Sequence, residues 1–252
     1  MNRTALLALL LAAPPAGAET LVVSISTPRV MISSNYTGSS ISVFGAVERD
    51  GQTVPRATNY EAVVTVRGPR QNLTVREKRR VGPIWVNRAE ERFPSAPAFV
   101  AVLSSAPIAS ITTEPLRRRF RIGLDAIVAS HSFAPGIGAE EQAFRDALLR
   151  IEKREGLYYE DAGGVAFLTP TIFQAAVPVP AIAPPGPYEV EVALFADSAP
   201  LTRTSTRFEL AKSGFEQQVA VLARDWSLIY GAGTAGMALL FGWLASIIFR
   251  RD

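Results

Sequence analysis

From Trp226 to Phe249 the chain carries no charged side chain. A run of about 24 residues, wound as an α-helix at roughly 1.5 Å per residue, crosses a bilayer core of about 30 Å. Arg224 and Asp225 close the run on one side, and Arg250, Arg251 and Asp252 close it on the other. The feature sorts the chain into a transmembrane helix at 226–249, a three-residue tail at 250–252, and everything before the helix, which is tethered to a membrane.

The N-terminus supplies the complementary signal. Arg3 precedes an apolar run from Ala5 to Ala13, too short to span, and Pro14-Pro15 lead into the small residues Ala16-Gly17-Ala18. This pattern predicts a signal peptide at 1–18, with the mature chain starting at Glu19. The exported start and the positive-inside rule applied to Arg250-Arg251 together predict an ectodomain at 19–222 outside and the C-terminus inside.

The ectodomain is long enough for its own hydrophobic core. It is also close to neutral, at about +1 once Arg3 and the three terminal charges are set aside. Neutrality and export both argue against nucleic-acid partners. The chain has no cysteine, which removes thiol catalysis, disulfides, iron–sulfur clusters and thiolate metal sites. His131 is its one histidine, so His-rich metal sites are excluded as well, and no cofactor is expected.

Two-residue alternation dominates residues 19–103, the pattern of half-buried strands. Leu21, Val23 and Ile25 share a face; Ile41, Val43, Gly45 and Val47 alternate with Ser42, Phe44 and Ala46, and Asp50-Gly51 offers a reversal. Tyr60, Ala62, Val64 and Val66 continue the scheme to Gly68-Pro69, and Leu73 and Val75 oppose Thr74, Arg76 and Lys78. Ile84-Trp85-Val86 and Phe99 to Leu103 add two shorter apolar runs.

A helical insertion is expected at about 113–156. Thr113 stands as a cap before Glu114 and Pro115, Gly123 to Gly138 reads as connecting structure, and a longer helix is predicted over Ala139 to Glu155. In that helix Ala143, Phe144, Ala147, Leu148 and Ile151 form one stripe, Glu140 and Glu141 sit at the positive end, and Gly156 stops it. Strands are then predicted at 165–168, 171–177, 188–195 and 203–210. The third follows Pro184-Pro185-Gly186-Pro187, and its opening Tyr188 is placed to bond back to that corner. The second half has too few strands for its own sandwich, so the expected class is mainly β: an immunoglobulin-like β-sandwich with one core shared by both halves, a helical insertion and one C-terminal transmembrane helix.

Three groups of residues are candidates for function. His131, in Ser130-His131-Ser132 with Asp125 nearby, resembles a hydrolase centre, but no Gly-x-Ser-x-Gly elbow accompanies it and a loop histidine is the preferred reading. Arg67, Arg70, Arg76, Lys78, Arg79 and Arg80 gather around one predicted strand, and Arg117, Arg118, Arg119 and Arg121 form a second group. Guanidinium groups suit phosphate, sulfate or carboxylate, so the first group is the candidate ligand-binding surface. Within the span, Ala238, Gly242 and Ser246 recur every four residues and would let a second helix approach closely.

The ordered motifs Gly38 to Ala46, Val66-Arg67-Gly68-Pro69, Trp85-Val86-Asn87, Gly156-Leu157-Tyr158, Pro185-Gly186-Pro187-Tyr188, Gly214-Phe215-Glu216 and Tyr230-Gly231 with Phe249-Arg250-Arg251 resemble the alphaproteobacterial putative transmembrane protein family. Gln217 departs from the basic residue that the family pattern carries there. The resemblance implies a Gram-negative inner-membrane protein with a periplasmic ectodomain, and an accessory role beside a membrane partner such as a sulfite-exporter-type permease. A non-enzymatic, partner-binding protein is therefore the leading expectation, and a periplasmic module for an anionic ligand is the alternative.

Overall fold

The computed structural model describes residues 19–32, 38–48, 59–131, 139–212 and 222–248. The expected leader, the Asp50-Gly51 reversal, Ser132, the Gly214-Phe215-Glu216 motif and the terminal tail lie outside the described residues. The chain forms two compact units, one of residues up to 30 together with 37–210, the other of 31–36 together with 211–252.

Twelve strands are described: β1 (Thr20–Ile25), β2 (Arg29–Ile32), β3 (Ser39–Glu48), β4 (Glu61–Arg67), β5 (Arg70–Val81), β6 (Ile84–Pro97), β7 (Val100–Ser104), β8 (Tyr158–Asp161), β9 (Val165–Thr169), β10 (Ile172–Val179), β11 (Gly186–Ala196) and β12 (Ala199–Lys212). Four helices fall between β7 and β8: α1 (Ile108–Ile111), α2 (Glu114–Phe120), α3 (Leu124–Ala129) and α4 (Ala139–Glu155). The strands make a four-stranded sheet in the order β1-β3-β10-β9, a six-stranded sheet in the order β2-β12-β11-β4-β7-β8, and a separate β5-β6 hairpin. The mainly-β class expected from the alternation is thus present. So is the shared core, because β3 pairs with β10 and β4 with β11 across the two halves of the chain.

Period-two alternation decides which side chains meet. In β3 Ile41, Val43 and Val47 are buried while Phe44 and Glu48 are exposed, as the sequence pattern requires. Gly45 sits on the buried side directly opposite Phe173 of β10. A Cβ added at Gly45 would lie 2.0 Å from the Phe173 ring, so the ring lies flat over a position that only glycine fits. The two sheets face each other, with β10 against β7 and β9 against β4.

Both faces of the six-stranded sheet are covered near its middle, and β4 accordingly has buried residues at every position from Ala62 to Val66. One face lies towards the four-stranded sheet. On the other, Val63, Val100, Val102, Ala193 and Phe195 pack with Ile111, Leu124, Ile127, Phe144 and Leu148 of the helical layer. The base of the hairpin joins this cluster through Val75 and Phe93.

The helical region departs from expectation in several places. Gly123 to Gly138 is not simply connecting structure, since Leu124–Ala129 is a helix with Leu124, Ala126, Ile127 and Val128 buried; six residues are too short for a periodic pattern to show. Helix α1 and the parallel edge strand β8 were not foreseen, each being only four residues long. Helix α4 has the bounds the sequence predicts, and Gly156, at φ 75°, ends it. Its stripe is rotated, however, so that Ala143 is exposed and Leu149 is buried. Ile84-Trp85-Val86 is the start of a 14-residue strand and not a short one.

The second unit contains α5 (Ser227–Ile248), 22 residues with a mean hydropathy of 1.6 and no buried side chain. Its length, about 33 Å, suffices to cross a bilayer. It begins one residue inside the expected span, with the Trp226 amide donating to Leu222 O at 3.0 Å.

Candidate functional site

Along β4, Val63, Thr65 and Arg67 project to one face, and along β11 Glu189, Glu191, Ala193 and Phe195 do the same. The inner members of these rows lie beneath the helical layer. The outer members, Arg67, Glu189 and Glu191, emerge where that layer ends. The tight turn at Asp197 and Ser198, with φ of 52° and 63°, folds β12 back so that Arg203 lies opposite Ala193 and Arg207 opposite Glu189. The result is a cleft of about 710 Å³ floored by charged side chains of β4, β11 and β12 and walled by the end of α2, the end of α3 and the β4–β5 corner.

Among the described residues, six arginines line it, Arg67, Arg70, Arg119, Arg121, Arg203 and Arg207, together with His131 and two carboxylates, Glu189 and Glu191. Glu191 is engaged twice. It accepts from Arg67 Nη1 at 2.5 Å and forms a second ion pair with Arg203. The same two arginines also cap α2: Arg203 Nη2 donates to Phe120 O at 3.2 Å and Arg67 Nη2 to Arg121 O at 3.4 Å, at the end of the helix where carbonyl groups point outward. Helix α2 stops because Arg121 turns left-handed, at φ 54°. Guanidinium groups of Arg203 and Arg119 lie 5.0 and 5.5 Å from the Phe120 ring centroid.

Arg67 and Arg203 are thereby fixed in place. Arg70, Arg119, Arg121 and Arg207 are exposed, and among the described residues they make no ion pair. Gly68 lets the cleft wall close, since a Cβ there would stand 2.9 Å from Phe99 Cβ and 3.1 Å from the Tyr188 ring. Tyr188 is anchored as the sequence predicts, its hydroxyl donating to Pro184 O at 2.7 Å.

The electrostatics follow from this crowding. Burial lowers the pKa of Arg67 below its ordinary value, against the opposing pull of Glu189. Burial first, and the neighbouring Arg67 second, lowers that of Arg203. His131 is also pushed down, by burial and then by Arg121, Arg70 and Arg67, which disfavour a further positive charge. The part of these shifts that comes from neighbouring arginine charges is the part a bound anion would offset. Guanidinium donors in this density suit a sulfate, phosphate or carboxylate group.

The two arginine groups of the sequence are both divided. Arg67 and Arg70 reach the cleft from the first group, and Arg119 and Arg121 from the second. Arg76, Lys78, Arg79 and Arg80 lie instead along the outer half of the β5–β6 hairpin, where Arg76 pairs with Glu90 at 3.2 Å. His131 and Ser130 line the cleft and Asp125 does not; the Ser130 hydroxyl donates to Ile127 O at 2.7 Å. Arg203 and Arg207 were missed because they are far away in sequence. The available signal was mirror placement about Asp197-Ser198, which sets Arg207 across from Glu189. In the second unit Ala238, Gly242 and Ser246 are exposed on α5, and among the described residues nothing lies within 4 Å of where a Cβ at Gly242 would stand.

Residues 20–251 match the model of a family described as Putative transmembrane protein (Alph_Pro_TM). No curated protein matches the chain, and no solved structure does.

Proposed function

Given that the chain belongs to this transmembrane protein family, we propose that it is a membrane-anchored, non-enzymatic binding module that takes an oxyanion in the arginine-lined cleft. In this reading the inner membrane holds the span, with residues 19–222 in the periplasm. The supporting observation is the imbalance of the cleft: six guanidinium groups face two carboxylates, one of which is already shared by Arg67 and Arg203. A bound sulfate, phosphate or carboxylate group would accept hydrogen bonds from Arg70, Arg119, Arg121 or Arg207 and relieve the mutual repulsion. Calorimetry of the full chain in detergent, titrated with sulfate, sulfite and phosphate at constant ionic strength, tests it. Saturable binding of at least one is expected; heats indistinguishable from chloride for all three would reject it.

The small-residue face of α5 favours a second reading, in which the chain is an accessory subunit of a membrane complex and packs against a helix of a partner, such as a transporter of the sulfite-exporter type. Photo-crosslinking from Gly242 or Ser246 in native membranes should then give a discrete protein adduct. Lipid adducts alone would rule this reading out.

A further inference from the structure

The β5–β6 hairpin is rooted in the core at Val75 and Phe93, and it continues past them by six residues on β5, about 20 Å of extended chain. This arm ends in Val81, Ile84 and Trp85, with 53, 59 and 67% of each exposed. Gly82, at φ 62°, and Pro83 close the turn, and Arg80 Nε donates to Gly82 O at 3.0 Å, which fixes the tip's shape.

The charge around these apolar residues is of one sign. Between Glu77 and Glu90 the hairpin has Lys78, Arg79, Arg80 and Arg88 and no acidic residue. Register places Arg80 across from Trp85, Arg79 across from Val86 and Lys78 across from Asn87, so the basic groups stand immediately behind the apolar end on both faces. Lys78, Arg79 and Arg88 make no ion pair among the described residues, unlike Arg76 and Arg92 lower down, which share Glu90.

We propose that the tip of the β5–β6 hairpin is a second membrane contact, in which Val81, Ile84 and Trp85 enter the interfacial zone of a leaflet while Lys78, Arg79 and Arg88 bind anionic lipid headgroups. An apolar end backed by a basic collar is complementary to an anionic bilayer surface, where tryptophan is favoured and lysine and arginine are drawn to the headgroups. The tether supplied by α5 keeps the chain at a bilayer, so the tip needs only weak intrinsic affinity to stay engaged. The site is separate from the arginine-lined cleft and does not depend on it.

The absence of cysteine allows a clean test, because one introduced thiol is the only site of labelling. Full-length Ile84→Cys, labelled with an environment-sensitive fluorophore, is reconstituted in vesicles of phosphatidylethanolamine and phosphatidylglycerol, with and without lipid carrying a quencher in its acyl chain. Gln142→Cys on α4 is the control. Quenching at position 84 several-fold above the control is expected, falling to the control level when Lys78→Glu and Arg79→Glu are added or when phosphatidylcholine replaces the anionic lipid. Three results would each overturn the proposal: quenching equal to the control, quenching indifferent to headgroup charge, or an apolar spectral shift that acyl-chain quencher does not reach, which would mean contact with another protein copy.

Discussion

Arg67 Nη1 and Glu191 Oε2 lie 2.5 Å apart with only 20 and 18% of their side chains exposed, on adjacent strands of the six-stranded sheet. Because Glu191 also holds Arg203, one carboxylate fixes two guanidinium groups that would otherwise repel each other in the floor of the cleft. Glu191→Gln should therefore lower stability by about 1–3 kcal/mol, the range for a partly buried charged hydrogen bond. It should leave oxyanion binding intact or strengthen it, since the competing acceptor is gone. Chemical denaturation and calorimetry on the same variant separate the two effects, and weaker binding would contradict the expectation.

In the proposed reading, the exposed arginines of the cleft carry the ligand. Arg70→Ala or Arg207→Ala should each weaken binding of the tightest anion about tenfold, or ~1.4 kcal/mol, without a comparable loss of stability. Arg76→Ala, on the hairpin, should leave affinity unchanged. Equal losses for all three would point to a diffuse field and not to a site.

In the proposed reading, His131 gives anion binding a pH dependence. Its folded-state pKa is lowered, so without ligand it is neutral at pH 7 and resists protonation as the pH falls below the ordinary value of about 6.5. A bound anion offsets the arginine charges and raises that pKa, so binding takes up a proton and tightens as pH falls through this window. Sulfate, which keeps its charge over the range, is the suitable probe. Affinity should rise by up to about tenfold per pKa unit of upward shift, and His131→Ala should flatten the profile.

Gly45→Ala tests the contact beneath Phe173. The added methyl would overlap the ring, and displacing a fully buried Phe173 should cost about 1–3 kcal/mol in thermal or chemical unfolding. Combining it with Phe173→Leu should restore part of the loss.

Glu152 on α4 is 7% exposed, and its Oε2 has no hydrogen-bond partner among the described residues. Burial, then the charge of Glu155, raises its pKa. A raised carboxyl pKa means that the folded state pays for the charge above that pKa, and the cost disappears as pH falls towards the unfolded value of about 4.3. Glu152→Gln should raise Tm at pH 7 by about 2–4 °C, the shift expected of ~1 kcal/mol at this size, and the difference should vanish near pH 4.

Strand alternation, the long helix α4 and the apolar span were readable because each repeats a local pattern over many residues: Ile41 to Val47, Phe144 to Ile151, Ser227 to Ile248. Helices α1 and α3 were not, since fewer than two turns give no period. The cleft was half readable. Arg67 and Arg70 stand out as a local cluster, but sequence proximity also drew in Arg79 and Arg80, which a twelve-residue strand carries away to the hairpin tip. Arg203 enters only through the pairing of β11 with β12, and His131 only through α3, whose existence the sequence did not signal.

The interleaving of early and late strands also dictates when the protein can fold. Gly45 has its partner at Phe173 and Val64 at Val192, so neither sheet can close until most of the chain has been synthesised. Until then β3, paired with β1 alone, and β4, paired with β7 alone, each present one open edge to wrong partners. Assembly should accordingly be slow, dominated by distant closures, and sensitive to any truncation before Ala196.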